Sequence, residues 1–359
     1  MAILSPILSA LAAAVFLWHA PAPPTTGVTP RALFASHHGW AGPRIGIAFP
    51  PVSRRDHVAF TVSALRDLAI RDIRIAENWK RRGITPTAED FEPLRRKIGT
   101  LRRAGLRIML TVQTDGPPEV CGPSNKFGCA FRPDAPFEAY LTQLLAAVGD
   151  RIDAIQFGNE WDHQFAGSIA EYVALHDRFA RTVRAHRPDL TLVLGGITNR
   201  APYAHAVCSR AQSFDLPGSH DTSAEQSFCA QSEKNDFARQ AVRTVAAQAD
   251  YDVFDVHLYD APGLWETAVG WVARLAQGKP IWITEFGGPH PALEPRDPAY
   301  HARQLARYMA TVERLPVDRA YYFKLTDDDT SYHSRSGLYD QQGRAKPALG
   351  VFRHHLGLD

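Results

Sequence analysis

Two glutamates, Glu160 and Glu285, lie where two short apolar runs end. Residues 155–161 read IQFGNEW and residues 281–286 read IWITEF. A carboxylate at the mouth of a buried strand must find a partner or stay in water, because an unpaired buried charge is costly. If the two side chains meet, two carboxylates with different surroundings form an acid/base or an acid/nucleophile pair.

The elements that must position these glutamates form a repeat of short apolar runs and helical patterns. Eight runs are predicted as strands: residues 44–49, 72–79, 106–114, 151–160, 190–198, 251–259, 280–288 and 319–329. Each run precedes a predicted helix: residues 55–68, 89–104, 136–148, 168–186, 237–249, 264–276, 298–314 and 345–356. Strict alternation of strand and helix predicts a parallel sheet.

Eight strand-plus-helix units favour a closed (β/α)8 barrel, which is the TIM barrel fold. An open doubly wound sheet is the alternative, but RIGIAFPPV around the first strand has prolines where a glycine-rich phosphate loop would lie. In a barrel the C-terminal ends of all strands surround one mouth. The fourth strand would bring Glu160 to this mouth and the seventh would bring Glu285, so the two carboxylates are expected to face each other.

The composition of the 359 residues is that of a globular protein, with 45% hydrophobic and 22% charged residues. A formal net charge of +2 and the absence of a dense Lys/Arg run argue against nucleic-acid binding.

The N-terminal region predicts export. Residues 3–18 are apolar and precede a Pro/Thr-rich stretch, so residues 1–22 resemble a signal peptide, 23–42 a linker and 43–359 the catalytic domain. No Lys or Arg precedes the apolar run, and an uncleaved membrane anchor formed by residues 3–18 is the alternative. We therefore expect a secreted or periplasmic protein, or else a membrane-anchored one.

The four cysteines agree with export. Cys121 and Cys129 lie within CGPSNKFGC, while Cys208 and Cys229 flank a polar segment. Short loop closure favours the pairings Cys121–Cys129 and Cys208–Cys229, and neither pair has the spacing of a structural zinc knuckle. Both pairs fall in long loops after strands three and five, so the disulfides are expected to stiffen the C-terminal face of the barrel.

Four motifs lie at or after predicted strand ends: the NE pair at 159–160, HLY at 257–259, ITEFG at 283–287 and SGLYDQQGRAKPAL at 336–349. Together they resemble the clan A glycoside hydrolases, which are retaining (β/α)8 enzymes such as families 5 and 39 and their bacterial polysaccharide-degrading relatives. The resemblance covers about residues 44–356. It implies that Glu160 is the general acid/base and Glu285 the nucleophile, that Asn159 binds the sugar 2-hydroxyl, and that Arg74 and Tyr259 lie beside the nucleophile.

Other residues are candidates for substrate binding on weaker grounds. Trp79 and Trp161 fit sugar stacking or simple packing. His257 either lines the pocket or is a hydrogen-bonded core histidine. Lys324 follows Phe323 where the family commonly has a tryptophan that stacks on the sugar, which leaves the substrate open.

The predicted function is a retaining hydrolase that cleaves O-glycosidic bonds of a β-linked oligo- or polysaccharide by double displacement, without a cofactor or a metal. The β-linkage comes from the resemblance alone. A retaining enzyme requires carboxyl groups about 5 to 5.5 Å apart and an inverting one about 6.5 to 9.5 Å. A carbohydrate-binding barrel without activity and a metal-dependent hydrolase are the alternatives. The acidic run at 327–329 is expected to be a solvated loop, with a calcium site as its alternative.

Overall fold

A computed structural model of the chain describes residues 39–122, 128–131, 134–208, 222–289 and 297–358. The expected signal peptide or membrane anchor, and all of the linker except residues 39–42, lie outside the described residues. Among the helices of the described part, none combines the length and the apolar character needed to cross a bilayer.

Eight parallel strands form one sheet, as predicted. Their order is β5-β4-β3-β2-β1-β8-β7-β6, so β1 and β8 pair and the two ends of the sheet are β5 and β6. The strands are β1 Arg44–Ala48, β2 Asp72–Glu77, β3 Arg107–Val112, β4 Ala154–Phe157, β5 Thr191–Val193, β6 Phe254–Tyr259, β7 Ile281–Gly287 and β8 Arg319–Phe323. Single bridges join Val193 to Val253 and Ile197 to Val256, and they close the sheet into a (β/α)8 barrel.

Helices pack around the outside of the barrel. The longer ones are Arg55–Asp67, Glu92–Arg103, Ala135–Val148, Ile169–His186, Thr222–Ala230, Ser232–Gln248, Trp265–Ala276, Pro298–Val312 and Pro347–His355. Because helices cover the outside of the sheet, the strands are buried along most of their length. One helix start shows its local cause: Ser168 caps Ile169–His186 in a capping box with Glu171.

All eight strands are shorter than predicted, and for two of them the backbone pairing shows the reason. β5 spans three residues instead of 190–198, because the chain beyond Val193 turns to bond with the segment before β6. β8 ends at Phe323 instead of residue 329, because the backbone beyond it pairs with Tyr339 instead of with β7.

Both predicted disulfides are present. Cys121–Cys129 lies in the connection after β3, and Cys208–Cys229 lies in the connection after β5. Both connections are therefore on the C-terminal side of the barrel, as predicted. Disulfides of this kind persist in oxidising compartments.

Candidate active site

Glu285 lies on β7 and receives a hydrogen bond on each carboxylate oxygen. Arg74 Nη1 donates to Oε1 at 2.5 Å, and the Tyr259 hydroxyl donates to Oε2 at 2.5 Å. The carboxylate is 5% exposed and the guanidinium is fully buried, so this is an ion pair shielded from water. The two hydrogen bonds fix the orientation of both carboxylate oxygens.

Arg74 is itself fixed by polar side chains from neighbouring strands. Its Nε donates to Thr111 Oγ1 at 3.0 Å, and its Nη2 donates to Gln156 Oε1 at 2.8 Å and to Asn159 Oδ1 at 2.7 Å. The planar guanidinium thereby ties β2, β3 and β4 to Glu285 on β7. Gln156 was missed by the sequence analysis, although a polar residue in the middle of an apolar strand was a usable signal.

Glu160 follows β4 in a left-handed backbone conformation with φ 47° and precedes the short helix Trp161–Gln164. Its side chain remains 22% exposed. Gln164 Nε2 donates to Oε2 at 3.0 Å, and His257 Nδ1 lies 3.0 Å from Oε1. The backbone turn aims the carboxylate back over the barrel mouth, where it meets a histidine from β6.

His257 is fully buried between the two carboxylates. Its Nδ1 contacts Glu160, and its Nε2 lies 3.2 Å from Thr284 Oγ1 and 3.7 Å from Glu285 Oε1. The ring fits only because Gly196 lacks a side chain: a Cβ there would lie 2.4 Å from Nε2. His257 is therefore a buried, hydrogen-bonded residue beneath the mouth, and it does not line the cleft.

The charges of the two carboxylates affect the protonation of the His257–Glu160 pair. Burial lowers the pKa of His257, but the nearby charge of Glu285 and the hydrogen bond to Glu160 outweigh burial, and the pKa is raised above its ordinary value. Burial raises the pKa of Glu160, but the hydrogen bond with His257, the charge of His257, the hydrogen bond from Gln164 and the charge of Arg74 together outweigh burial, and the pKa is lowered. A histidine, rather than the apolar surface of Trp161, contacts the Glu160 carboxylate.

The two carboxylates meet at the mouth of the barrel. One oxygen of Glu160, one oxygen of Glu285 and one ring nitrogen of His257 all lie within 4.8 Å of one another. All three side chains are of types that bind metals, which is the chemistry of the metal-dependent alternative. A cation bound to all three would lie beside the Arg74 guanidinium, which already occupies Glu285 Oε1, so the cluster fits a proton-transfer site better than a metal site.

A cleft of about 980 Å³ opens above this cluster. Its walls carry polar and aromatic side chains from the ends of β1 and β4 to β8: Phe49, Asn159, Glu160, His163, Gln164, Thr198, Asn199, Arg200, Tyr259, Asp260, Glu285, Phe323, Thr330, Ser331, Tyr332 and His333. Phe323 packs edge-on against Phe49, with ring centroids 6.4 Å apart, at the position where the family commonly has a tryptophan. A concave cleft that combines aromatic side chains with convergent polar groups is a typical small-ligand site.

Comparison with known proteins gives one family match and several similar folds. Residues 220–352, about a third of the chain, match the family model for a glycosyl hydrolase catalytic core, and they include the β6 and β7 residues of the cluster. This match and the eight-stranded barrel together support a clan A glycoside hydrolase. No curated protein matches its sequence.

Solved structures similar to this hydrolase are also glycosidases. A family 5, subfamily 18 enzyme from Streptomyces cattleya, solved with GlcNAc, has a TM-score of 0.63 at 16% identity, covering 88% of this chain and 80% of that one. A family 39 enzyme from Xanthomonas axonopodis pv. citri has a TM-score of 0.60 at 17% identity, with coverages of 90% and 67%. An exo-β-1,4-mannosidase from Opitutaceae bacterium strain TAV5 has a TM-score of 0.59 at 18% identity, covering 90% of this chain and 62% of that one. At these identities the similarity shows the fold.

Two tryptophans that were predicted to stack on sugar are buried in the hydrolase. Trp79 is 0% exposed, and it packs against Phe131, Phe137 and Tyr140. Trp161 is 4% exposed, and it stacks on a tyrosine and donates to the Gly195 carbonyl at 3.0 Å. Of the two alternatives, simple packing therefore holds for both indoles, because the loops and helices around the mouth cover their faces.

Lys324 also does not line the cleft. Its side chain is buried, and its ammonium donates to Asp328 and, at 2.6 Å, to Ser331 Oγ, so it fixes the connection after β8. The acidic run behaves in the same way: Asp327 pairs with Lys346 at 2.8 Å and Asp329 with Arg335 at 3.6 Å. The prediction that Lys324 contacts substrate is wrong. Each acid of the run has a basic partner, which fits the expected loop better than the calcium alternative.

Proposed function

We propose that this hydrolase cleaves β-linked O-glycosidic bonds with retention of configuration, with Glu160 as general acid/base and Glu285 as nucleophile. The observation that carries the proposal is the approach of these two carboxylates, with oxygens within 4.8 Å of each other at the mouth of the barrel. A retaining mechanism requires carboxyl groups about 5 to 5.5 Å apart, whereas an inverting one needs about 6.5 to 9.5 Å to admit water. The spacing supports retention.

The different surroundings of the two glutamates support the division of roles. Glu285 is nearly buried, and hydrogen bonds from Arg74 and Tyr259 hold both of its carboxylate oxygens, which suits a nucleophile that attacks from a fixed position. Glu160 is partly exposed to the cleft and shares a proton-bearing hydrogen bond with His257, which suits a group that exchanges protons.

In the first half-reaction, a Glu285 oxygen attacks the anomeric carbon and displaces the leaving sugar oxygen. The bond from carbon to the leaving oxygen breaks as the bond from carbon to Glu285 forms, and Glu160 gives its proton to the departing oxygen. Asn159 and Arg74 belong to one hydrogen-bonded unit, so the Asn159 amide lies beside the nucleophile, where it can donate to the 2-hydroxyl of the sugar.

In the second half-reaction, Glu160 takes a proton from water as the water oxygen attacks the anomeric carbon. The ester to Glu285 breaks, and the free sugar leaves with its original configuration after two inversions. Glu160 ends protonated and Glu285 ends ionised, so the cycle consumes one water and requires no cofactor.

The preference for β-linkages rests on the resemblance to clan A and on the fold shared with an exo-β-1,4-mannosidase. Export is part of the same proposal. The two disulfides support it because such bonds are rare in reducing compartments. A polysaccharide or oligosaccharide outside the cytoplasm is therefore the proposed substrate.

Hydrolysis of a panel of β-linked oligosaccharides and 4-nitrophenyl glycosides tests the proposal. We expect Glu285→Ala and Glu160→Ala each to lower kcat by about 10³-fold or more on natural linkages, since each removes a group that acts only in the transition state. Near-wild-type turnover in either variant would overturn the role given to that residue. Saccharide binding without any hydrolysis by the wild type would favour the carbohydrate-binding alternative.

Azide rescue separates the two roles. In Glu285→Gly, azide should restore turnover and give a glycosyl azide of inverted configuration, because azide replaces the nucleophile. In Glu160→Gly, azide should intercept the covalent intermediate and give a product of retained configuration. Swapped product configurations would reverse the assignment of the two glutamates.

A further inference from the structure

The cleft has an exposed aromatic side chain that the proposed mechanism does not use. Tyr332 lines the cleft and is 62% exposed, one of only three large hydrophobic side chains exposed among the described residues. The other two, Ile84 and Phe237, do not line the cleft. Exposed aromatic surface at the rim of a binding cleft favours contact with a ligand that has an apolar face.

Two successive ring contacts connect Tyr332 to Tyr259, the residue that binds Glu285. The His333 ring stacks flat on Tyr259, with centroids 4.1 Å apart and 3° between planes. Tyr332 meets His333 edge-on at 5.1 Å and 86°. Since the Tyr259 hydroxyl donates to Glu285, Tyr332 lies on the nucleophile's side of the cleft, two rings above the residue that holds the nucleophile.

The connection that carries Tyr332 is fixed by hydrogen bonds. The Asp328 carboxylate accepts from the backbone amides of Thr330 at 2.9 Å and Ser331 at 2.8 Å. The Lys324 ammonium holds Ser331 Oγ at 2.6 Å. The Tyr332 backbone is thereby held in place before substrate arrives, which limits the ordering that substrate binding requires.

We infer that Tyr332 is a sugar-stacking residue for a unit of the substrate next to the one held over Phe323. This inference rests on the proposed function. One face of a pyranose ring is a patch of C–H groups, and it binds an aromatic face while the hydroxyls stay hydrated. The residue provides, from the connection after β8, an aromatic surface in a cleft where the family's tryptophan is replaced by a phenylalanine. The substrate it selects is an oligosaccharide of at least two sugar units.

The test compares a 4-nitrophenyl monoglycoside with the shortest oligosaccharide that the wild type cleaves. We expect Tyr332→Ala to lower kcat/KM on the oligosaccharide by about tenfold, which corresponds to about 1.4 kcal/mol. The kcat/KM of the same variant on the monoglycoside should stay within about twofold of the wild type, because that substrate does not reach the rim. Tyr332→Phe should retain the oligosaccharide rate, since the ring and not the hydroxyl makes the contact.

Phe237→Ala is the matched control, because Phe237 has the same 62% exposure on helix Ser232–Gln248 outside the cleft. This variant should leave kcat/KM unchanged on both substrates. Equal loss on both substrates in Tyr332→Ala, or no loss on either, would overturn the inference, and a Tyr332→Phe that behaves like Tyr332→Ala would assign the contact to the hydroxyl instead.

Failure of the proposed function has a different signature. If the wild type cleaves no saccharide, titration calorimetry with the same oligosaccharides still reports binding. Loss of that binding in Tyr332→Ala, but not in Phe237→Ala, would keep the stacking role while removing catalysis. Unchanged binding in both variants would overturn the stacking role itself.

Discussion

His257 links the two catalytic candidates, since its Nδ1 lies 3.0 Å from Glu160 and its Nε2 lies 3.7 Å from Glu285. The pKa of His257 is raised and the pKa of Glu160 is lowered. The pair therefore loses its last proton at a pH above about 6.5, the ordinary pKa of histidine. The proton that Glu160 delivers to the leaving group would then be shared with the imidazole in the free enzyme.

The pH profile of kcat/KM tests this shared proton. In His257→Gln, Glu160 alone must hold the catalytic proton, so the alkaline limb of the kcat/KM profile should move to lower pH than in the wild type. The glutamine amide can still donate a hydrogen bond to Glu160. Profiles measured on one monoglycoside from about pH 4 to 10 check the shift. An unmoved alkaline limb would show that Glu160 holds its proton without the imidazole.

Metal removal tests a second feature of the same residues. Glu160, His257 and Glu285 have metal-binding chemistry, but the Arg74 guanidinium occupies the position where it would repel a cation. We expect dialysis against EDTA to leave kcat unchanged within about twofold. Loss of activity that Zn²⁺ restores, with one metal per chain by elemental analysis, would support a metal-dependent mechanism instead.

At the scale of elements, the disulfide connection after β3 supports Glu160, the proposed acid/base residue. Gly128, next to Cys129, lies against the helix that follows Glu160: a Cβ on Gly128 would come within 2.8 Å of the Gln164 carbonyl. Gln164 in turn donates to Glu160 at 3.0 Å. The Cys121–Cys129 disulfide therefore fixes the segment against which the helix Trp161–Gln164, directly after Glu160, packs.

Paired Cys→Ser variants separate this local role from general stabilisation. By loop-closure entropy, removal of Cys121–Cys129, with a separation of 8, costs about 2.5 kcal/mol. Removal of Cys208–Cys229, with a separation of 21, costs about 3.3 kcal/mol. We expect the first variant to lose about fivefold in kcat/KM and the second to lose stability without that change, as measured by denaturant unfolding and monoglycoside kinetics. The opposite pattern would exclude this supporting role.

At the scale of the molecule, the barrel is least continuous between β5 and β6. β2 and β3 pair over six consecutive residues, whereas β5 has three residues and reaches the β6 side through two single bridges. His257 donates its backbone amide across this junction to the Ile197 carbonyl at 2.9 Å. The histidine of the site thus lies beside the weakest pairing of the described sheet.

Native-state hydrogen exchange should therefore report lower protection at this junction. We expect the amides of Leu194 and His257 to exchange through local opening, at lower free energy than the amides of β2 and β3, which need global unfolding. Mass spectrometry of peptic fragments after timed labelling measures the difference. Equal protection in the two regions would show that the barrel opens as a single unit.

The residues show which expectations were accessible from sequence. Glu160, Glu285 and Tyr259 were located correctly at strand ends, because alternating strands and helices fix the ends that point to the mouth. The same reasoning failed for Trp79, Trp161 and Lys324. A position near a strand end does not specify whether a long side chain turns toward the cleft or into the packing between loops and helices.

By itself, the sequence determined the eight-unit barrel, the two glutamates at its mouth and the local disulfides, since periodicity and short loop closure depend on residues near one another in the chain. Only the tertiary structure decided that His257 lies between the carboxylates, that Arg74 joins four strands, and that Tyr332 is the aromatic ring exposed at the rim. These depend on contacts between residues far apart in the chain, whose distances and burial are set when the barrel closes.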